Sequence, residues 1–418
     1  MFVGITNAPR PYVWGSRTRL AEFLGREPSG HPEAEVWLGA HPQSPSRILD
    51  PSSTGGHERL DTWIAADPDR TLGVERSSDE LPFLMKLLAA EEPLSIQVHP
   101  DEEQAREGYE AENARGIPLD RPERTYKDSR HKPEIALAVD APFDALAGFR
   151  PLDRTRLLLQ ELIRRSTRRP EARRELVELE AQLAGPPEPV LRRLMDRFFD
   201  ERAAPPLLDA VTDAVTTPGG SGDWGPEINT LAEIARRRPG DPGLLVVLLL
   251  NRITLEQDQA VYVAPGDVHA YLHGLAVEVM AASDNVVRGG LTSKHVDVPA
   301  LRHIARFHES PQPVHDPDVP AHGVAVYRPR ETDFQLAVLA PSTGQGAGVE
   351  LTGPAIALGL SGAPRLSGQH ETTSLAPGQA VYLTPDEKVV HAAGQGRIAV
   401  AMPGADTGRA DTVFSPRR

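Results

Sequence analysis

Residues 260–298 read AVYVAPGDVHAYLHGLAVEVMAASDNVVRGGLTSKHVDV, and the rest of the chain is best understood from them. A short β-type run, Ala260 to Ala264, breaks at Pro265-Gly266-Asp267, a strong turn signal. His269 follows the turn, where a side chain projects from the end of a strand. A second β-type run, Leu275 to Met280, carries a single carboxylate, Glu278, among aliphatic neighbours. Asp284, Asn285, Arg288 beside two glycines, and Lys294 come next. Charged groups scattered through apolar strands are costly to bury unless paired or bound to metal, so this mixture points to a functional cavity.

Composition narrows the setting. The chain has 418 residues, enough for two or three domains, and 45 Lys+Arg against 59 Asp+Glu leave it at −14. That acidity argues against nucleic acid as a partner, which calls for basic surface, and requires any anionic substrate to meet a local basic pocket. With no cysteine there is no disulfide framework and no thiolate nucleophile or ligand. No signal segment follows Met1, and no apolar run reaches the ~18 residues of a membrane span, so a cytoplasmic protein without a membrane partner is expected. Lysine is rare: it occurs at 86, 127, 132, 294 and 388, and the other basic residues are arginine. A compact ammonium with a movable pKa suits phosphate contact or proton transfer.

Upstream, Pro11 to Gly15 reads as a short strand into a turn, Ala34 to Gly39 and Ser46 to Leu49 as short strands, while Leu60 to Ala66 and the surroundings of Leu87 fit short helices. Trp14 and Trp37 read as core. In Leu94-Ser-Ile-Gln-Val-His99 the polar residues Ser95, Gln97 and His99 alternate with aliphatics, which places them on one strand face. Glu134 opens another strand after Pro133, with Lys132 on the same face, and Phe143 to Phe149 continues the β pattern. From Asp153 to about Arg238 apolar residues recur at helical spacing between proline breaks, the pattern of several amphipathic helices whose arginines read as solvated faces. Leu244 to Leu250, a buried strand or core helix, is taken as a return to β structure, and Pro311 to Pro320 reads as a linker. Short runs from Gly323 to Ala401 with Gly/Pro turns suggest a second all-β unit of sandwich or jelly-roll type.

A repeat joins the two β regions. Gln259-Ala-Val-Tyr-Val-Ala-Pro265 recurs as Gln379-Ala-Val-Tyr-Leu-Thr-Pro385. The second copy has Val389 where the first has His269, with His391 two positions later, so only the first copy keeps the polar set.

Gln97, His99, Glu134 and His269 together form a plausible ligand set for a borderline divalent cation such as Zn²⁺. The sequence resembles the type I mannose-6-phosphate isomerases of the cupin superfamily. YVWG at 12–15, LPFLMKLL at 81–88, LSIQVHPD at 94–101, HKPE at 131–134, PGDVHAYLHG at 265–274 and the block ending at Val298 carry the resemblance. Val13 stands where such proteins often have an acidic residue. The resemblance implies one zinc ion per chain at those four residues and an active-site arginine at Arg288. It implies a mainly β fold of two cupin-like jelly-roll units plus an α-helical domain. The first unit would comprise 1–150 and 241–310, the helical insertion 151–240, and a structural C-terminal unit 311–418. The implied activity is a zinc-dependent isomerase that interconverts mannose 6-phosphate and fructose 6-phosphate through a cis-enediol, its partner a phosphorylated hexose, the chain a monomer. Glu278, Lys132 and Asp284 are the candidate proton carriers, and Ser95, Lys86 and Lys294 the candidate phosphate contacts. A cupin-type metal oxygenase is a competing reading, disfavoured by Gln97 as ligand and by the Lys/Arg-rich pocket. A silent sugar-binding protein is another, disfavoured by retention of all four ligands and Arg288.

Overall fold

A computed structural model of the chain describes residues 1–74, 78–166, 169–219, 222–310 and 314–405. Its central element is the 13-residue strand His269–Ala281, which belongs to both sheets of the first β unit. Beyond Gly274 it pairs antiparallel with Phe83–Ala90 and Glu134–Ala138. Before Gly274 it pairs with Gln97–Val98 and Phe143–Phe149. Gly274 is the corner between the sheets: its φ is +123°, and a Cβ there would stand 2.8 Å from the backbone of Phe143. Only glycine fits such a bend.

Strand alternation sorts the side chains of this sheet into two sets. Trp37, Lys86, Glu278 and Ala136 lie opposite one another across four strands, so they share a face, and Leu84, Met280 and Glu134 share it two residues on. The alternate positions, Met85, Leu87, Ile135, Leu137, Val277 and Val279, form a core with Tyr327, Leu336, Ile356 and Leu358 of the C-terminal β unit. One face of the sheet thus carries the polar groups, and the other is sealed by the second unit. This explains why Leu81 to Leu88 shows no alternation. Both faces are buried, and the stretch around Leu87, expected to be helical, is the strand Phe83–Ala90.

Two further expectations are corrected. Leu244 to Leu250 is not a strand: Gly243–Leu249 is a helix buried on all sides, and the strand Leu250–Leu255 begins where it ends. A seven-residue apolar run has no periodicity that separates the two. Tyr12 to Gly15 is a turn rather than a strand, with Gly15 making one isolated bridge to Ala90. In the expected linker, residues 311–313 lie outside the described residues, and Val314–His315 and Asp318–Ala321 are short strands. The helical expectation holds, with Leu152–Arg165, Pro170–Ala181, Pro187–Phe198, Ala204–Thr216 and Gly225–Arg237 packed around an aliphatic core. Proline near the start of four of these helices removes an N–H that the helix could not satisfy anyway.

The C-terminal unit is β-sheet throughout, and Phe2–Thr6 joins it by pairing with Ala380–Leu383. The sequence repeat is a repeat of structure. The Gln259 side chain accepts from Glu256 N at 2.8 Å, and the Gln379 side chain accepts from Ala376 N at 3.0 Å. Each glutamine carbonyl then accepts a neighbouring strand's N–H, from Ala138 and from Gly359. Polar ties join the units: Arg397 pairs with Asp258 and donates to Val139 O at 2.9 Å, and His131 Nε2 lies 2.8 Å from Asp333. Among the described residues no helix is long and apolar enough to cross a membrane.

Candidate active site

His99, Glu134 and His269 come from three different strand ends and are all buried. One ligand atom from each lies within 4.8 Å of the others. His99 Nε2 is 3.4 Å from Glu134 Oε1, and His269 Nε2 is 3.3 Å from Glu134 Oε2. The other ring nitrogens face backbone carbonyls: His99 Nδ1 is 2.7 Å from Asn285 O, and His269 Nδ1 is 3.2 Å from Asp267 O. A carbonyl can only accept, so each Nδ1 carries a proton, and a neutral ring so oriented presents its lone pair at Nε2. His99 Nε2 is buried without a hydrogen-bond partner among the described residues. Burial and the charge of Lys132 hold the His99 imidazolium pKa down at about 4 against the pull of Glu134, so the ring is neutral. The unprotonated His99 Nε2 beside the Glu134 carboxylate is an arrangement that a cation bound between them would relieve. Imidazoles oriented by Nδ1–H bonds to carbonyls are how such ligands are held for a metal.

Glu134 is itself held well below the ordinary carboxylate range. Burial pushes it up, but the Lys132 ammonium, with Nζ 2.9 Å away, outweighs that. Gln97 lies directly opposite His269 in the strand pairing, so its amide is on the same face, where it lines the adjoining cleft. The four expected ligands are therefore brought together, three by distance and Gln97 by register.

The cleft has a volume of about 600 Å³. Ser95, Lys86, Lys132, Asp284, Arg288 and Lys294 all line it. Lys86 Nζ is 2.7 Å from Glu278 Oε2, and both residues are buried. Burial alone would lower the lysine pKa, yet Glu278, Glu35 and Glu134 together raise it and keep the ammonium charged. Glu278 lies behind Lys86 and does not line the cleft. Asp284 is held by His41 Nε2 at 3.3 Å and by the Gln43 amide at 2.8 Å. Although burial raises its pKa, His41, Lys132 and Lys86 lower it further, so Asp284 is a carboxylate. His391 sits exposed on a strand of the C-terminal unit, away from these groups.

Several residues of the site escape sequence reasoning. Trp14 is not core: it is partly exposed, stacks on Tyr12 at 5.8 Å, and walls the cleft with it, while Trp37 is buried but also reaches the lining. Lys127 lines the cleft too, so four of the five lysines do, and the rarity of lysine was the signal that could have found it. Arg238, at the end of the helical segment, had no such signal. Asn285 is a hub: its carbonyl accepts from His99 Nδ1, and its side-chain amide donates to the carbonyls of Asp128 and Arg130, each at 2.8 Å.

Known proteins share this architecture. The family model for the phosphomannose isomerase type I catalytic domain matches residues 2–152. Over 410 residues the chain is 35% identical to mannose-6-phosphate isomerase of Escherichia coli (strain K12), covering 94% of this chain and 98% of that protein. A crystal structure of mannose 6-phosphate isomerase bound with zinc and yttrium aligns with a TM-score of 0.84 at 33% identity, over 97% of this chain and all of that one. The apo form from Salmonella typhimurium aligns with a TM-score of 0.83 at 32% identity, over 97% of this chain and 99% of that one. On sequence and fold, the chain belongs to the mannose-6-phosphate isomerase family.

Proposed function

We propose that the chain is a zinc-dependent aldose–ketose isomerase that interconverts mannose 6-phosphate and fructose 6-phosphate through a cis-enediol. The observation that carries this reading is the pair of imidazoles converging on Glu134, whose partner Lys132 lines a cationic cleft. Gln97, His99, Glu134 and His269 would hold one zinc ion per chain. Zinc bound there would supply Lewis-acid polarisation of the sugar oxygens. The first β unit (1–150 with 241–310) would carry the chemistry, 151–240 would be a helical insertion, and 311–418 would serve as structural support. The chain would work as a monomer.

Isomerisation moves a proton between C1 and C2 while negative charge develops on the oxygens. Arg288, partly buried and free of a carboxylate partner among the described residues, offers a fixed guanidinium for that charge. Lys132 Nζ and the Asp284 carboxylate, both lining the cleft, are assigned to take and return the proton. Glu278, tied to Lys86, acts by holding that ammonium where it meets sugar hydroxyls. Ser95 and Lys294 are assigned to the phosphate. A coupled assay tests the reading: mannose 6-phosphate should be converted to fructose 6-phosphate, the activity should vanish on chelation, and zinc should restore it. Oxygen consumption without isomerisation would instead favour the oxygenase reading.

A further inference from the structure

The helical segment ends at Arg238, which caps the helix Gly225–Arg237 and lines the cleft beside Ser95, Arg288, Thr292 and Lys294. Its neighbour Arg237 is engaged by Glu92 at 2.5 Å and Glu233 at 2.8 Å. Arg238, Arg288 and Lys294 form no ion pair among the described residues. In a chain with 59 acidic residues, three cations without an ion pair along one cleft make a local basic site suited to an anion from outside the protein. Burial lowers the pKa of both Arg288 and Lys294, and Arg288 lowers that of Lys294 further.

Arg238 does not sit on a loose loop. Three residues on, the Asp241 carboxylate accepts N–H groups from Gly243 at 2.8 Å, Leu291 at 3.0 Å and Thr292 at 3.2 Å. Gly290, with φ +122°, lets the loop lie directly on this turn, since a Cβ there would stand 2.5 Å from Gly243 Cα. Leu291 itself is held at φ 56°, a conformation that a bulky side chain adopts only where its surroundings impose it. The end of the helical segment and the loop from Arg288 to Lys294 are thus one clamped unit, and Arg238 has a fixed place relative to both cations. Two arginine forks and an ammonium suit a phosphate monoester, which offers about two charges on three oxygens, better than a single carboxylate.

We infer that Arg238 is a third cationic ligand of the substrate's phosphate group, so that the helical segment builds part of the site and sets its preference for a phosphorylated over a neutral hexose. This rests on the hexose-phosphate reading above. The test is calorimetric titration of inorganic phosphate onto wild type, Arg238→Ala, Arg238→Lys and Arg237→Ala at fixed ionic strength, with kcat and KM for mannose 6-phosphate measured in parallel. Arg238→Ala should weaken phosphate binding and raise KM about tenfold, the loss of one charge-assisted contact, with kcat within about twofold of wild type. Arg238→Lys should recover part of the loss, which a purely structural role would not allow, and Arg237→Ala should leave phosphate affinity unchanged. Wild-type phosphate affinity and KM in Arg238→Ala would overturn the inference while leaving the isomerase reading intact. Phosphate binding that depends on Arg238 in a protein that turns over no sugar phosphate would support the subsite and overturn the isomerase reading.

Discussion

His99 Nε2 stands 3.4 Å from Glu134 Oε1, and neither atom has a proton to place between them. Lys132 answers the carboxylate but not the ring nitrogen, so a metal bound at His99 Nε2 should stabilise the folded protein. At free zinc near 100 times its Kd, the gain is about 2.7 kcal/mol over the chelated protein. Denaturant unfolding with and without chelator measures it; equal midpoints would show that the ion does not bind the native state preferentially.

The buried pair of Lys86 and Glu278 makes a second prediction. Glu278→Gln leaves an ammonium in the sheet interior with its nearest counter-charge gone, at a cost of about 3–5 kcal/mol. Lys86→Met combined with Glu278→Leu removes both charges and should recover most of that stability without recovering activity, because Lys86 lines the cleft. Urea midpoints for wild type, single and double variants decide it. A double variant no more stable than Glu278→Gln would show that packing, not charge, sets the cost.

Catalytic groups should separate by substitution. Arg288→Ala should lower kcat by about 10²–10³ with a smaller change in KM, as expected for a contact strengthened in the transition state. Lys132→Arg keeps a charge beside Glu134 but cannot give up a proton near neutral pH, so turnover should stay low. If Lys132→Arg keeps wild-type kcat, Asp284 is left as the proton carrier, and Asp284→Asn should then abolish turnover.

The link between the two β units should depend on pH. Burial lowers the His131 pKa, but Asp333, 2.8 Å away, and Glu102 raise it more, so the net shift is upward. A folded-state pKa above the unfolded value of about 6.5 means that the contribution is fully present below that pH and is lost as pH rises through the folded pKa. The stability gap between wild type and Asp333→Asn should be widest below about pH 6 and should narrow on the alkaline side. A gap independent of pH would mean that the contact is an uncharged hydrogen bond.

What could be read from sequence follows burial geometry. The strand around Gln97 and His99 was legible because one face is aliphatic and the other polar. Phe83–Ala90 was not, because the C-terminal unit covers the face that would otherwise have shown alternation. Gly243–Leu249 hid its helix for a related reason, being apolar on every side. The ligand set came from isolated His and Glu on strands, whereas Trp14 looked like any core aromatic and Arg238 like any helix-surface arginine. Their contribution arises from a turn and from the Asp241 clamp, both long-range features without local periodicity.

The most direct measurement is metal content per chain in wild type, His269→Ala and His391→Ala, purified identically and analysed by elemental mass spectrometry. The result expected is about one zinc per wild-type chain, retained in His391→Ala and lost together with activity in His269→Ala, because the remaining ligands hold the ion far more weakly. Full occupancy in His269→Ala, or loss in His391→Ala, would contradict a metal centre built on His99, Glu134 and His269.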